Sequence, residues 1–391
     1  MIQDLEQILT TVLPVDPSFR MIGREELDRA VNEAQQSALS NSKDDFLLSL
    51  MRLLALPENG HTRLIPNDAI LVLPLRFATI GTTVRLLDAS PGLSEAIGGD
   101  LISINGVPTG EIEAAAEKYL AGTPQRKRVI GPILFAWLGA MRNLGVSSGG
   151  EAIEYRIRSK TGQVRKLLLD PAHCVPGSTL YPRGEHGKAD ASWAPKSFLT
   201  IKDFGKRGLR LVLPSFFDPG KTALQGAISE AAERVRSRPD TPLLIDVRGN
   251  TGGDFLLTMS LIDAISGGAE GRRVGLLVDK FTFSAAIVFT AILKHRLGEQ
   301  LVLIGEEMGD GLTFFAEGGT IHLSFSGAAV RYSTAFHDWA GGRVDETTPA
   351  EIAERVVPAG VLDLNRVWVA HSDDVETLDL FCREVLDNLN P

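Results

Sequence analysis

The sequence predicts an α/β protein whose carboxyl-terminal half carries a mostly parallel sheet. Two observations carry that expectation. From about Leu199 the chain alternates short apolar runs with helix-length segments: LRLVLPSF, a helix from Thr222 to Val235, PLLIDVRGN, a helix from Phe255 to Ile265, VGLLVDK, the segment after Ser284, and LVLIGEE. The runs are apolar without a polar alternation, as strands covered on both faces are, and helices between them imply right-handed crossovers. Loops at the carboxyl ends of such strands gather on one side, where sites form. Three loops belong there: RGNTGGD (248–254), DKFTFS (279–284) and GEEMGDG (305–311).

The amino-terminal part reads differently. Up to about residue 56 apolar residues recur at three and four, as in Leu5–Ile8–Leu9–Val12 and Phe46–Leu47–Leu50–Leu53–Leu54, which predicts amphipathic helices. Asp44 and Asp45 stand early in the second of these, and LPENGHTRLIP closes it with the turn residues Pro57, Asn59, Gly60 and Pro66. From Ile70 to about Asp170 short strand-like runs and one helix are expected. Within them GDLISINGVPTGEIEAAAEKYL reads as a strand (Leu101 to Ile104), an Asn105–Gly106 turn and a helix from about Glu111. The polar stretch 176–192 reads as a surface loop or a domain connection.

With 391 residues the chain is expected to hold two or three domains, at about 100–200 residues each. A composition of 44% hydrophobic and 23% charged residues is that of an ordinary globular protein. A net charge of −9 argues against nucleic acid and anionic membrane surfaces as partners. No apolar run approaches the roughly 20 residues that span a bilayer. No signal peptide is visible at the start, so the chain is expected to be cytoplasmic unless an export signal has been removed. Cys174 and Cys382 match no zinc or redox spacing, and neither metal nor cofactor is indicated.

The chemistry centres on Ser284, a lone hydroxyl between the strand-like Val274–Val278 and a helix running to Leu293. A serine there caps a helix in the ordinary way. The same position also gathers free amides and the positive end of a helix dipole, which stabilise developing negative charge. An attacking serine needs a base for its proton and N–H groups aimed at the oxyanion. RGNTGG is suited to the second task, because Gly252 and Gly253 can bare their amides. It matches neither G-x-G-x-x-G nor the P-loop.

IDVRGNTGG followed by VGLLVDKFTFSAA and LVLIGEEMGDG resembles the core of the S41 serine peptidases: the C-terminal processing peptidases, the tricorn-type proteases and their relatives. The resemblance covers most of residues 45–360. It implies a crotonase-like (ClpP-like) ββα core with an N-terminal helical region and a PDZ-like β-rich module, the latter matched by GDLISINGVPTGEI. On that pattern residues 1–66 are the helical region carrying NGHT, 67–175 the PDZ-like module and 176–391 the catalytic core. Ser284 then corresponds to the nucleophile, and the amides of Ala285 and of Gly252 or Gly253 to the oxyanion hole. The implied activity is hydrolysis of peptides or proteins, with no cofactor and with a homo-oligomer left open.

The processing peptidases take their base from a lysine in a G-K-G-like turn, where this chain has Asp310. An aspartate does not replace a neutral amine, and Lys294 lies ten residues along the serine's helix, roughly 15 Å away. The tricorn-like branch instead uses a histidine from a D-G-H-T-like motif. LPENGHTRL fits it with Asn59 in place of the acid, making His61 the implied general base, with an unperturbed pKa of about 6.5. The orienting acid falls in WAGGRVDETTPAEIAERV, where Asp345 and Glu346 are both candidates and Asp338 a weaker one. His173, His186, His295, His322 and His371 show no ligand spacing. Two other classes remain: a ligand-binding protein on the same scaffold, as in the retinoid-binding proteins of the retina, and an acyl-CoA enzyme sharing the core fold.

Overall fold

The computed structural model describes the chain apart from residues 41, 67–68, 91, 147–151, 181–196, 269–270, 370–374 and 390–391. The connection expected at 176–192 therefore lies largely outside the described residues. The chain divides into two compact units, Met1–Gly187 with Phe315–Ala335, and Lys188–Phe314 with Phe336–Pro391.

In the first unit the expected helices form at Ile2–Thr11, Arg24–Leu39 and Lys43–Ala55. Ser42 caps the third by accepting from Asp45 N at 3.2 Å, with Asp44 and Asp45 in its first turn. Its apolar positions Phe46, Leu47, Leu50, Leu53 and Leu54 are fully buried in the unit's core, beside Trp137, whose Nε1 donates to Asp44 Oδ1 at 2.9 Å. An antiparallel sheet of six strands runs in the order Leu75–Ile80, Thr83–Ala89, Asp100–Ile104, Ile153–Arg158, Val164–Leu169, with the short Val107–Pro108 strand paired to Asp100–Ile104. Asn105 and Gly106 take positive φ, as the expected turn requires. One helix was expected between Ile70 and Asp170, but two α-helices form, Thr109–Ala116 and Pro124–Ile130, followed by 3₁₀ turns at Gly131–Phe135 and Leu138–Leu144. The Gly131–Pro132 pair ends the second helix, because proline has no N–H to continue it. A smaller antiparallel sheet pairs Arg63–Ile65 with Ala329–Tyr332 and the latter with Gly319–His322.

The second unit is built on a six-stranded sheet in the order Thr200–Asp203, Leu209–Val212, Leu243–Asp246, Val274–Val278, Leu301–Gly305, Arg366–Val367. Its first pair is antiparallel and the rest parallel. The fully buried 243–246 and 274–278 strands are the continuous apolar runs of the sequence. Alternate residues Leu244, Leu277 and Ile304 meet Phe381, Val385, Leu386 and Leu389 of the last helix, Val375–Leu389. The crossover helices are Thr222–Arg236, Met259–Ser266 and Ala285–Leu297. Among the described residues no helix is long and apolar enough to cross a membrane.

Candidate active site

The 243–246 and 274–278 strands are parallel neighbours, so the loops that leave them, 247–254 and 279–284, are neighbours too. The first loop starts from a buried charge cluster. Asp246 accepts from Arg210 Nη2 at 2.5 Å and from Arg248 at 2.7 and 2.9 Å. Burial pushes the Asp246 carboxyl up, but the two guanidiniums outweigh it and hold the group below the usual carboxylate range. Asn250, fully buried, then shapes the turn: its Nδ2 donates to Leu213 O and its Oδ1 accepts from Gly252 N, both at 2.9 Å. Gly252 and Gly253 follow with φ of 106° and 137°, a region closed to most side chains.

Gly253 makes a parallel bridge to Phe216. The flanking groups form it, Phe216 N donating to Gly252 O at 3.0 Å and Asp254 N to Phe216 O at 2.8 Å, so the N–H of Gly253 points to the opposite side. Of the two glycines offered by the sequence, Gly252 thus spends its amide on Asn250. Among the described residues no hydrogen bond takes the N–H of Gly253 or of Ala285.

Ser284 stands where the second loop becomes the Ala285–Leu297 helix, with φ 53° and ψ −125°. Such a backbone costs a non-glycine residue about 1–3 kcal/mol and persists only where its surroundings enforce it. Here Phe283 N donates to Asn250 O at 3.0 Å on one side, while Ser284 O accepts from Ile287 N and Val288 N at 2.8 and 3.1 Å on the other. The half-buried side chain makes no capping hydrogen bond, so the ordinary helix-cap reading does not describe it. A Cβ built on Gly252 would lie 2.7 Å from Ser284 Cβ and 3.0 Å from Ala285 N. The structure therefore brings Ser284, Ala285, Gly252 and Gly253 together.

Asp279 opens the second loop. Its Oδ1 accepts from Phe281 N and Thr282 N at 3.0 Å and from Gly249 N of the first loop at 2.9 Å. Burial lifts its carboxyl above the ordinary range despite those amides and the Arg248 charge. Neither Asp279 nor Asn250 was singled out in the sequence. The D-x-x-T spacing of Asp279 and Thr282 was the available signal, since short polar side chains at that spacing close loops on themselves. The third loop packs on the second through Gly309 N, which donates to Thr282 O at 2.9 Å. In it Asp310 accepts from Gly311 N of its own turn at 2.9 Å. Lys294 reaches Gly298 O at its helix's end, at 3.3 Å.

The candidate acids differ in setting. Asp345 and Glu346 are exposed, and Asp345 Oδ1 closes a turn on the N and Oγ1 of Thr347, both at 2.7 Å. Asp338 is buried and accepts from Thr313 Oγ1 at 3.0 Å, Gly341 N at 2.8 Å and Arg343 Nε at 2.5 Å. Burial raises its carboxyl, and these donors together bring it below the usual range. His337 beside it stacks on Phe314, with ring centroids 5.0 Å apart.

His61 belongs to the first unit, where it is buried in the turn closed by Thr62 N on Asn59 O at 3.0 Å. Asn59, where the motif has an acid, is part of the scaffold of that turn. Its Nδ2 donates to Thr62 Oγ1 and Ser333 Oγ, both at 3.0 Å. Asp16 anchors the same group, taking Thr62 Oγ1 at 2.6 Å, Ser333 N at 2.9 Å, and both Ser18 N and Ser18 Oγ at 3.0 and 2.6 Å. Exposed His295 lies on the serine's helix, and exposed His173 and His322 sit in a 3₁₀ turn and at a strand end; His186 and His371 lie outside the described residues. Among the described residues no cluster of three His, Cys, Asp or Glu is placed to hold a metal ion.

No family model and no curated protein matches the chain. Solved structures do. Mature CPAF complexed with lactacystin is 14% identical over all of this chain and 98% of that one, with a TM-score of 0.59. Mature CPAF by itself is 13% identical over all of this chain and 97% of that one, again at 0.59. The photosystem II D1 C-terminal processing protease is 14% identical over all of this chain and 97% of its own, at 0.40. The two CPAF structures establish a likeness of fold along the whole chain.

Proposed function

We propose that the chain is a serine peptidase of the S41 type acting on peptides or proteins. The observation that carries this reading is Ser284: a strained residue at a helix N-terminus, without a capping bond, against a glycine that leaves room only for its side chain. Strain of this kind concentrates at functional sites. The CPAF-like fold, and the S41-like order of NGHT, RGNTGG and FTFSAA along the chain, support the same assignment. With it go a crotonase-like catalytic core and a PDZ-like module in 67–175, suited to binding an extended peptide by strand addition.

In the proposed reaction Ser284 Oγ attacks the scissile carbonyl carbon while its proton passes to His61, assigned as base on its motif. The oxyanion is held by the N–H groups of Gly253 and Ala285, the two amides left open by the local hydrogen bonding. Collapse of the intermediate expels the amine, which takes the proton from His61 and leaves an acyl ester on Ser284. Water, deprotonated by His61, then attacks the ester carbonyl, and His61 returns that proton to Ser284 Oγ as the acid product leaves. Asp345 or Glu346 is the proposed orienting acid.

Intact-mass measurement after fluorophosphonate treatment tests this reading. One adduct is expected on the wild type and none on Ser284→Ala. His61→Ala is expected to label about 10²–10⁴ times more slowly, the usual worth of general-base assistance. An unlabelled wild type between pH 6 and 9 would sink the proposal and turn attention to a non-catalytic binding role.

A further inference from the structure

We propose that Asp279 is a positioning residue, a single carboxylate oxygen that fastens the glycine loop to the serine turn and so sets the spacing of the two oxyanion amides. The inference rests on the peptidase reading for its catalytic consequence and on geometry for the clamp itself. Gly253 and Ala285 come from different loops, so their amides converge only if the loops keep a fixed separation. Asp279 Oδ1 spans that separation: it accepts from Gly249 N at 2.9 Å on the first loop, and from Phe281 N and Thr282 N at 3.0 Å on the second. The Thr282 hydroxyl, fully buried, lies 3.2 Å from the same oxygen and 3.1 Å from Val247 O. Thr282 Oγ1 also accepts from Asp279 N at 3.0 Å, closing the turn on itself.

Three N–H donors converge on this one oxygen; an amide oxygen accepts such donors too, though more weakly than a charged one. That arrangement suits an ionised carboxylate. It also stands against burial, which opposes the charge at this position. The remaining ties between the loops are local: Phe283 N on Asn250 O at 3.0 Å, and Thr282 on Val247. Removing the Asp279 oxygen therefore loosens the loops without detaching them, and the loss falls on the oxyanion geometry. Catalytic groups must be held to within fractions of an ångström, so a small loosening has a large kinetic effect.

The test compares wild type, Asp279→Ala and Asp279→Asn by hydrogen exchange and by the rate of fluorophosphonate labelling, with Ser284→Ala as the labelling control. Asp279→Ala is expected to lose protection in 248–254 and 280–285 together, with the sheet unaffected, and to label about tenfold to hundredfold more slowly. Asp279→Asn, which keeps one acceptor, is expected to recover most of both, which a loss of folding would not. With a peptide substrate the deficit is expected in kcat with KM little changed. Unaltered exchange in either loop, or labelling of Asp279→Ala at the wild-type rate, overturns the proposal. Should the wild type take no label, the peptidase reading falls, while the exchange data still decide whether Asp279 joins the loops.

Discussion

A side-chain carbon on Gly252 would stand 2.7 Å from Cβ of Ser284, closer than such atoms approach, and 3.0 Å from the Ala285 nitrogen. The position is reserved for glycine twice over, by this contact and by its φ of 106°. Gly252→Ala is therefore expected to place a methyl over the Ala285 N–H and to push Ser284 aside. Labelling of Ser284 falls by roughly 10²-fold or more, the range for loss of one oxyanion donor. Gly271→Ala, also at positive φ but in open space and outside both loops, is the control: it costs stability through backbone strain and leaves the labelling rate near the wild type's.

Asn250 serves two loops from a fully buried position. Truncation to alanine leaves Leu213 O and Gly252 N without their partner, at about 1–3 kcal/mol for each unmet group. The expected readout is a fall in denaturation midpoint with the slope unchanged. Asn250→Asp is expected to be worse than alanine, because it sets a carboxylate oxygen against Leu213 O.

The turn bearing His61 is tied down by Asp16 in the same unit, through four hydrogen bonds from Ser18, Thr62 and Ser333. Asp16→Ala is expected to destabilise the first unit by about 1–3 kcal/mol for each buried donor left unmet. Limited proteolysis checks it: cleavage is expected to begin around residues 16–22 and 58–63 rather than in the 243–278 strands.

Asp246 and Asp338 are both held below the ordinary carboxylate range, so the unfolded chain binds more protons than the folded one as pH falls. Their stabilisation is fully present above the unfolded value of about 3.9 and is lost as pH drops through the folded values. Asp279 has the opposite sign. Its raised value, with Arg248 as the facing charge, makes the folded state bind the extra proton, so its contribution declines as pH rises through the window above about 3.9. Urea titrations across pH 3–7 are expected to show a shallower acid loss for Asp338→Asn than for wild type. Asp279→Asn is expected to show a steeper net gain with rising pH, its opposing term being gone.

Much of the second unit was legible in the sequence, because its strands and crossover helices are local patterns. Val274–Val278 is apolar throughout since both faces of that strand are covered, and Thr222–Arg236 follows from its own periodicity. The same local logic singled out Ser284 and the glycine pair, and the S41 resemblance added Ala285. It misjudged 124–144, where the apolar content fits several short turns as well as strands and only packing selects among them.

What the sequence by itself determined is the order of elements and the chemical types at the loops: a serine before a helix, glycines after a strand, a histidine in a turn. Tertiary structure decided which of those groups stay available. Asn250, two residues back, takes the Gly252 amide while anchored on Leu213 O, and the Gly253 amide faces away from Phe216; Leu213 and Phe216 both meet that loop from elsewhere in the chain. The positive φ of Ser284 is likewise set by the Phe283–Asn250 bond between two loops. Residue type and spacing report local preference, whereas the aim of an N–H group or the strain of one residue depends on partners distant in sequence, whose approach only the folded chain fixes.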